Sequence, residues 1–475
     1  MRSRTAPIVA LVAAWMAAFG SPALAQFETR SNFNLGPGGA ASVAVGDFNG
    51  DGIPDLAVVR PLDTTGSVDI LLGNGDGTFR QGADYVFGIF PLYAATGSLR
   101  NNGVLDLVFN EMLSDDVWVM LGNGDGTFQP AVAYPTTAES DAIGVGQFTG
   151  GNIDIVALEE HDTNGDYCNC VEVLPGIGDG TFGAPITTTL PYGLTGYAIA
   201  AGDFNGDGSL GVAAVGEAYP EYLAAVLLGS GNGTFTADGY YVVGDVPGAV
   251  AAGYFTENKD KLDLAVINDE GFSVSVLLGN GNGTFRAPVS YYADYPGSLV
   301  TQDFSGDGKT DIALAVEPGV ALLKGNGNGT FQKGVIYPAL VGYIAAGDFN
   351  NDGKPDIVGV DEGRGRIIAL LNTGVVSFSP TTPLNFEKEA VGKTSAPQTV
   401  TLTNTGSAEL KIQSMKASAE FAVTSTCGAR VAPGAECTIS ATFSPTKQGA
   451  QQGTISIIDN ASSKPQVIEL LGTGT

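Results

Sequence analysis

Residues 43–56 read VAVGDFNGDGIPDL, and the pattern recurs along the chain. Well-kept copies begin at Asp203, Asp303 and Asp348, and eroded copies span residues 97–106, 146–154 and 253–263. A second element, LLGNGDGTF at residues 71–79, recurs with its phenylalanine at 128, 182, 235, 285 and 331, and a worn seventh copy ends at Phe378. A period of about 46–54 residues is typical of propeller blades and solenoid units.

Each repeat predicts four short strands, which in the first copy cover residues 42–48, 55–59, 67–72 and 78–86. The Asn-Gly-Asp-Gly turns between them supply the positive φ that tight hairpins need. Seven such units without a helical pattern predict an all-β fold, a seven-bladed β-propeller over residues 26–380. Residues 27–35 resemble the strand after each Gly-Thr-Phe, so we expect them to complete the last blade and close the ring. A solenoid is the alternative.

The repeat ends before residue 381, and residues 381–475 form a second predicted domain. Alternating segments at 398–403, 437–443, 454–458 and 466–471 indicate a small immunoglobulin-like β-sandwich. Cys427 and Cys437 flank a short loop and predict a disulfide. Cys168 and Cys170 form a C-x-C pair that either closes a small ring or stays reduced.

The N-terminus has the pattern of a secretory signal. Arg2 and Arg4 precede a short apolar run, and Ala23-Leu24-Ala25 provides small residues for cleavage after Ala25. The run is shorter than the roughly 20 residues that span a membrane, and no later segment is long and apolar enough. We therefore expect residues 1–25 to be removed and the protein to be exported, whether secreted, periplasmic or at the cell surface.

Charge excludes several classes of partner. The chain has 22 Lys and Arg against 50 Asp and Glu, a net charge of −28. Nucleic acids and anionic membranes require clustered cations, so neither is expected as a partner. A single histidine, His161, leaves little room for histidine-based catalysis.

The acidic residues concentrate in loops with calcium-ligand spacing. Positions 1, 3, 5 and 9 of the first loop carry oxygen-bearing side chains, position 6 is glycine, and position 7 offers a backbone carbonyl. The predicted ligands are Asp47, Asn49, Asp51, Ile53 and Asp55 in blade one, Asp203, Asn205 and Asp207 in blade four, Asp303, Ser305, Asp307, Lys309 and Asp311 in blade six, and Asp348, Asn350, Asp352, Lys354 and Asp356 in blade seven, with Ile53, Lys309 and Lys354 acting through their carbonyls.

Turn chemistry alone is the alternative interpretation of one such loop. Three complete copies, however, keep an Asp at position 9 in an apolar strand, where a carboxylate is costly without a cation. Blade four has Gly211 at that position, and blades two, three and five have lost most ligands. We expect about three to four structural calcium ions with affinities of roughly 10⁻⁴–10⁻³ M.

These elements strongly resemble FG-GAP/VCBS repeats, which form the β-propeller of integrin α-subunits and of many bacterial surface and secreted proteins. The resemblance covers roughly residues 27–378 and implies a calcium-stabilised propeller that binds its ligand on the face away from the calcium loops. The tail resembles ASH-type (Hydin-like) immunoglobulin domains in residues 398–406, 437–445 and 472–474.

The face opposite the calcium loops receives the loops between second and third strands and the crossings between blades. Aromatic side chains beside carboxylates there suit sugar rings or peptides, although each can equally pack between blades. The candidate ligand-face residues are Phe90, Tyr93, Tyr192, Tyr197, Tyr295 and Tyr343.

These features predict an exported, non-catalytic recognition or adhesion protein that binds a glycan or an extracellular protein. A structural cell-envelope scaffold is one alternative. A calcium-dependent polysaccharide-acting enzyme is the other, although G-x-S-x-G and H-E-x-x-H motifs are absent from the sequence. The ligand and the oligomeric state are left open.

Overall fold

The computed structural model describes residues 27–475 except 37, 62–65, 88–89, 113, 162–166, 307, 362–363, 373–375, 380–382, 405–408, 433 and 461–464. The predicted signal segment 1–25, Asp307 and the side chains of Phe90 and Tyr192 lie outside the described set. Within that set, no helix is long and apolar enough to cross a membrane. The chain divides into two compact units, Phe27–Asn372 and Thr373–Thr475.

The first unit contains seven antiparallel four-stranded sheets, the blades of a propeller. Its strands are β1 (Phe27–Asn34); in blade one β2 (Ser42–Gly46), β3 (Asp55–Pro61), β4 (Gly66–Gly73) and β5 (Phe79–Phe87); in blade two β6 (Phe90–Gly97), β7 (Asp106–Met112), β8 (Asp116–Met120) and β9 (Val132–Pro135); and in blade three β10 (Ser140–Gly146), β11 (Asp154–His161), β12 (Tyr167–Leu174) and β13 (Ile186–Thr189).

A short 3-10 turn, Pro191–Gly193, leads into the remaining blades. Their strands are, in blade four, β14 (Thr195–Gly202), β15 (Gly211–Ala218), β16 (Glu221–Gly229) and β17 (Phe235–Val242); in blade five β18 (Pro247–Gly253), β19 (Asp263–Asn268), β20 (Ser273–Leu277) and β21 (Val289–Tyr292); in blade six β22 (Leu299–Gln302), β23 (Asp311–Val316), β24 (Gly319–Leu323) and β25 (Val335–Pro338); and in blade seven β26 (Tyr343–Gly347), β27 (Asp356–Asp361) and β28 (Arg366–Asn372).

The ring closes through the N-terminal strand. β1 pairs antiparallel with β28, with Phe27 opposite Asn372, and completes blade seven as its outer strand. The first strands of successive blades lie against one another all the way round, from β2 through β26 and back to β2. This confirms the closed seven-bladed propeller and excludes the solenoid.

Burial explains which strand occupies which place. The second strands, such as β19 and β23, are buried along their whole length and mostly apolar, because blades cover them on both sides. The fourth strands, such as β21, are mostly exposed. Side chains of neighbouring blades form the shared cores, for example Phe148, Leu158, Val212 and Leu227.

The second unit is a β-sandwich, as predicted. One sheet has the order β29 (Val376–Ser379), β31 (Gln398–Asn404), β35 (Glu436–Phe443) and β33 (Phe421–Ser425); the other has β30 (Leu384–Glu389), β37 (Gln466–Gly474), β36 (Gly449–Asp459), β32 (Leu410–Ala417) and β34 (Arg430–Val431). Both sheets contribute to one core that includes Leu402, Phe443, Ile455 and Leu470. Cys427 and Cys437 form a disulfide in this unit.

The boundary between the units falls earlier than residue 380. Phe378, which the repeat pattern assigned to a seventh Gly-Thr-Phe element, lies on β29 and pairs with Leu402 of β31 in the sandwich. The physical reason is that β1 already supplies the outer strand of blade seven, so the propeller needs no strand after β28.

Candidate metal-binding loops and the opposite face

A buried aspartate opens the second strand in six of the seven blades. These residues are Asp55, Asp106, Asp154, Asp263, Asp311 and Asp356, and each is 0% exposed. Three of them lie in blades two, three and five, where the other predicted ligand positions are eroded. The position-9 carboxylate is therefore present with or without the rest of the calcium loop.

Two backbone amides satisfy this carboxylate. In blade one, Phe48 N–H donates to Asp55 Oδ2 over 3.0 Å and Gly73 N–H donates to Oδ1 over 2.8 Å. The same pair of contacts recurs in blade five, where Phe255 and Gly279 donate to Asp263. A carboxylate with both oxygens bonded is satisfied in the core. Its burial alone therefore does not require a cation, and the position-9 Asp acts as a clamp between the first loop and the third strand.

Blade four lacks the clamp because its backbone fills that space. A Cβ on Gly211 would lie 2.4 Å from the Leu227 carbonyl. The backbone of blade four therefore leaves no room for a side chain at position 9, and this loop has three side-chain ligand positions, as the sequence predicts.

The two repeated elements also lock adjacent blades together, a role that the sequence did not indicate. In five places the turn between third and fourth strands donates a glycine N–H over 2.9–3.0 Å to a phenylalanine carbonyl in the first loop of the preceding blade. The donor and acceptor pairs are Gly77–Phe349, Gly126–Phe48, Gly233–Phe148, Gly283–Phe204 and Gly329–Phe255.

The phenylalanine rings pack at the same junctions. Phe48 meets Phe128 edge to face with centroids 5.4 Å apart, and Phe255 meets Phe331 at 5.3 Å. Such pairs add about 0.5–1.5 kcal/mol each beyond the area they bury. The signal that could have revealed them is the phenylalanine kept at one fixed place in each repeat element.

The remaining ligand positions of blade one cap their own loop. Asp47 Oδ1 accepts the N–H of Gly50 over 2.7 Å, its Oδ2 accepts that of Gly52 over 2.8 Å, and Asp51 Oδ1 accepts the N–H of Ile53 over 2.8 Å. Asn49 Oδ1 accepts the N–H of Asp51. The structure thus places Asp47, Asn49 and Asp51 in one turn, where their oxygens accept the turn's own backbone N–H groups.

Blades four, six and seven repeat this arrangement. Asp203 accepts the N–H of Gly208 over 2.9 Å, Asp303 accepts that of Gly308 over 2.8 Å, and Asp348 accepts that of Gly353 over 2.7 Å. Among the other predicted ligands, Asn205 accepts the N–H of Asp207 in blade four and Asn350 accepts that of Asp352 in blade seven. In blade six the clamp carboxylate Asp311 accepts the N–H of Ser305 over 2.7 Å.

The clustered charge shows in the electrostatics of the clamp residues. Burial, with the charges of Asp51 and Asp47 adding to it, raises the pKa of Asp55 to about 6. Burial likewise raises the pKa of Asp356 to about 7, and the charges of Asp352 and Asp348 add to the rise. The loop carboxylates therefore lie close enough to disfavour one another's ionisation.

The loop side chains offer only oxygen donors, the kind that a hard cation prefers. Among the described residues, no three carboxylate, histidine or cysteine side chains are arranged to hold a metal ion. Ser305, at ligand position 3 of blade six, is 2% exposed, and its hydroxyl has no hydrogen-bond partner among the described atoms. Such a buried oxygen, within an all-oxygen set, suits calcium.

In two blades that have lost the other predicted ligands, a side chain of the loop itself contacts the clamp carboxylate. In blade two Arg100 occupies ligand position 3, and its Nη2 donates to Asp106 Oδ1 over 2.5 Å. In blade three the loop is one residue shorter, and the hydroxyl of Thr149 lies 3.0 Å from both oxygens of Asp154. These blades hold the clamp carboxylate with groups of the chain itself.

On the opposite face, a cavity of about 510 Å³ opens between the ends of blades six and seven. Its lining brings together Tyr295 and Leu340 from crossings, Glu317 from the turn between β23 and β24, and Asp361 and Arg364 from the loop between β27 and β28. Arg364 Nη1 lies 3.6 Å from Asp361 Oδ2 and its side chain is 59% exposed. Sequence reasoning missed Glu317 and Leu340, since the residues lie in separate repeats.

Tyr295 is held at the rim of this cavity. It is 62% exposed, has φ 43°, and packs edge to face on Phe272 at 4.8 Å. The left-handed backbone is uncommon for a bulky residue and is typically retained where the surroundings impose it. The ring is thus presented to solvent in a fixed position.

The other predicted ligand-face tyrosines lie elsewhere. Tyr93 lies within β6 and Tyr343 begins β26, and their rings meet edge to face at 6.5 Å. Tyr197 OH donates to Glu217 over 3.3 Å in blade four. The structure therefore brings together Tyr93 and Tyr343, while Tyr295 joins charged residues in the cavity.

Comparison with known proteins gives a family match in each of the two units. The family model described as FG-GAP-like repeat matches residues 47–109 and 303–359. The model described as Abnormal spindle-like microcephaly-assoc'd, ASPM-SPD-2-Hydin (ASH) matches residues 373–467. No curated protein matches the chain.

Three solved structures to which the chain is similar are the following. BBS1N in complex with ARL6DN is 12% identical with a TM-score of 0.52, covering 73% of this chain and 97% of that chain. An Agrocybe aegerita lectin that recognises non-reducing terminal N-acetylglucosamine is 18% identical with a TM-score of 0.44, covering 72% and 86%. The periplasmic gluconolactonase PpgL of Pseudomonas aeruginosa is 14% identical with a TM-score of 0.47, covering 62% and 84%.

Proposed function

We propose that this chain, which carries FG-GAP-like repeats and an ASH domain, is an exported calcium-binding recognition or adhesion protein that is not catalytic. Its propeller binds a glycan or an extracellular protein on the face opposite the metal loops. The observation that carries the proposal is the cavity at blades six and seven, where the exposed ring of Tyr295 stands beside Glu317, Asp361 and Arg364.

The cavity has the chemistry of a recognition site. Pockets of roughly 300–1,000 Å³ with an aromatic wall and a few polar groups are typical of small-ligand binding. The face of an aromatic ring packs on the C–H groups of a sugar or on a peptide side chain, while carboxylates and a guanidinium bond to hydroxyl or amide groups. The exposed guanidinium of Arg364 is available to a ligand in addition to its contact with Asp361.

Calcium is proposed as a brace for the first loops. In blade one it would be held by the side chains of Asp47, Asn49, Asp51 and Asp55 and the carbonyl of Ile53, and the equivalent residues would act in blades six and seven. Blade four would use three side chains. Bound calcium would neutralise the clustered carboxylates of each loop. The same loop carries the phenylalanine whose carbonyl accepts a glycine N–H from the next blade, so fixing the loop would also stabilise the contact between blades.

A binding screen tests the recognition function. Wild-type chain, Tyr295→Ala and the control Tyr292→Ala would be applied to a glycan array and to a panel of extracellular proteins, with and without calcium. Tyr292 is 78% exposed at the end of the outer strand β21 and does not line the cavity.

We expect binding by wild type and Tyr292→Ala and at least a tenfold loss for Tyr295→Ala, because the aromatic wall is removed. Retention of full affinity by Tyr295→Ala would place the ligand elsewhere. Turnover of any polysaccharide by the wild-type chain would contradict a non-catalytic role.

A further inference from the structure

Blade three carries a disulfide within a single strand. Cys168 and Cys170 are bonded to each other on β12. Residues two apart in a strand point to the same face of the sheet, which places both sulfur atoms together. Cys170 is 0% exposed, whereas Cys168 is only partly buried. Cys168 is therefore the more accessible of the two residues, and Cys170 is enclosed.

A buried acid lies directly across from the enclosed sulfur. In the β11–β12 ladder, Glu159 is the register partner of Cys170. Opposed residues of an antiparallel pair have Cβ atoms about 4.5–5.5 Å apart on the same face. Glu159 is 0% exposed, its Oε1 accepts the Ser140 hydroxyl over 2.7 Å, and its Oε2 has no hydrogen-bond partner among the described residues.

Glu159 differs from the neighbouring acid on the same face. Glu172 is as fully buried, but its oxygens accept the N–H of Thr137 over 2.9 Å and the hydroxyl of Thr187 over 2.7 Å, as well as the hydroxyl of Thr137. Glu172 is thus fixed by three donors. Glu159 has one oxygen available for exchanging a proton.

The surroundings favour the protonated form of Glu159. Burial raises its pKa well above the ordinary value, and the charges of Glu172, Asp141 and Asp115 add to the rise, while the Ser140 hydrogen bond lowers it. A neutral carboxyl beside a disulfide can protonate a departing thiolate, and its carboxylate can take the proton back.

We propose that Cys168–Cys170 is a thiol–disulfide exchange site for an external dithiol, with Glu159 as proton donor and acceptor for Cys170. This goes beyond ligand recognition, since it assigns a chemical step to blade three.

The step balances without a further reactant. One thiolate of the dithiol attacks Cys168 Sγ, forming a mixed disulfide and breaking the Cys168–Cys170 bond. The electron pair leaves on Cys170 Sγ, which takes the proton of Glu159. The second thiol of the reagent then loses its proton to solvent and displaces Cys168 as a thiolate. Solvent protonates this thiolate and returns a proton to the Glu159 carboxylate. The dithiol is oxidised to a cyclic disulfide and the two cysteines are reduced; oxidation reverses each step.

The chain contains its own reference disulfide for the test. Full-length protein would be treated with dithiothreitol, quenched by alkylation at intervals and analysed by peptide mass spectrometry for Cys168–Cys170 and Cys427–Cys437. Rate constants would be divided by the thiolate fraction of the reagent at each pH. We expect Cys168–Cys170 to be reduced at least tenfold faster than Cys427–Cys437. The corrected rate constant of Cys168–Cys170 should fall as pH rises and Glu159 ionises, whereas that of Cys427–Cys437 should not change with pH.

Matched variants separate proton transfer from structure. Glu159→Gln keeps the shape but removes the proton, so we expect at least a tenfold slower reaction and loss of the pH inflection. Glu172→Gln should stay within about threefold of wild type and keep an inflection, shifted to lower pH because a neighbouring charge is gone. Equal corrected rates and a flat pH profile for both disulfides of the wild type would overturn the proposal even if Glu159→Gln failed to fold. An unchanged profile in folded Glu159→Gln would also overturn it.

Discussion

Replacing Asp154 by alanine tests the clamp carboxylate without a contribution from calcium, because the loop of blade three has no other acidic residue. Asp154 is 0% exposed and accepts the N–H groups of Phe148 over 2.8 Å, Thr149 over 2.7 Å and Gly176 over 2.8 Å. Hydrogen bonds to a charged group contribute roughly 1.5–3 kcal/mol each, and buried donors left without partners lose that free energy.

Since such contributions overlap, we expect Asp154→Ala to lower the free energy of unfolding of the propeller by about 4–6 kcal/mol, a large share of the roughly 5–15 kcal/mol of a typical domain. Asp154→Asn keeps one acceptor but turns an amide donor toward another N–H, so we expect it to lower the free energy of unfolding by about 2–3 kcal/mol. The control is Asp179→Ala in an exposed turn of the same blade, where Asp179 accepts the N–H of Thr181 over 2.9 Å. It should leave the midpoint of urea unfolding almost unchanged, because substitutions at exposed turn positions have small effects.

The assay is urea unfolding in the presence of EDTA, followed by tryptophan fluorescence. The sequence has two tryptophans, Trp15 in the predicted signal segment and Trp118 in blade two, so the cleaved chain reports on the propeller alone. A loss below about 1 kcal/mol for Asp154→Ala would refute the clamp, as would a loss no greater than that of Asp179→Ala.

Three further perturbations follow from the same contacts. Arg100→Met should lower the free energy of unfolding by about 2–4 kcal/mol, equally with calcium and with EDTA, because it leaves Asp106 without its internal cation; a calcium-dependent loss in urea melts would contradict this. Burial, aided by Glu270, raises the pKa of Asp269 to about 6, so its stabilisation is present below pH 3.8 and is lost as pH rises through about 6; melting temperatures of Asp269→Asn should lack that decline. Tyr85→Phe removes the hydroxyl that accepts the Phe128 N–H over 2.5 Å and should cost about 1–2 kcal/mol in urea unfolding, an unchanged midpoint being the contrary result.

The sequence was sufficient to predict the architecture because one pattern of strands and turns recurs along the propeller, so each copy supports the interpretation of the others. The period predicted blades, the Asn-Gly-Asp-Gly turns predicted hairpins, and residues 27–35 predicted closure, which the pairing of β1 with β28 confirms. The end of the ring was placed too late, since a Phe-containing segment after β28 resembles a worn repeat. Only strand pairing shows that Phe378 belongs with Leu402.

The role of the position-9 aspartate required coordinates. Sequence shows that Asp55 begins an apolar strand, and a lone buried carboxylate then suggests a cation. The partners that satisfy it, Phe48 N–H and Gly73 N–H, are backbone groups whose approach no residue pattern reports. Likewise, Tyr295 and Glu317 become neighbours only because crossings and turns of different blades end at one face.

Calcium binding per chain tests the central claim most directly. Equilibrium dialysis at free calcium up to about 5 mM spans the affinities of roughly 10⁻⁴–10⁻³ M expected for extracellular modules. Asp47→Ala would be compared with Asp125→Ala, which removes the same charge from an exposed turn outside the predicted calcium loops. We predict about three to four ions per wild-type chain, one fewer for Asp47→Ala and no change for Asp125→Ala. Absence of saturable binding, or equal counts in all three proteins, would contradict the account.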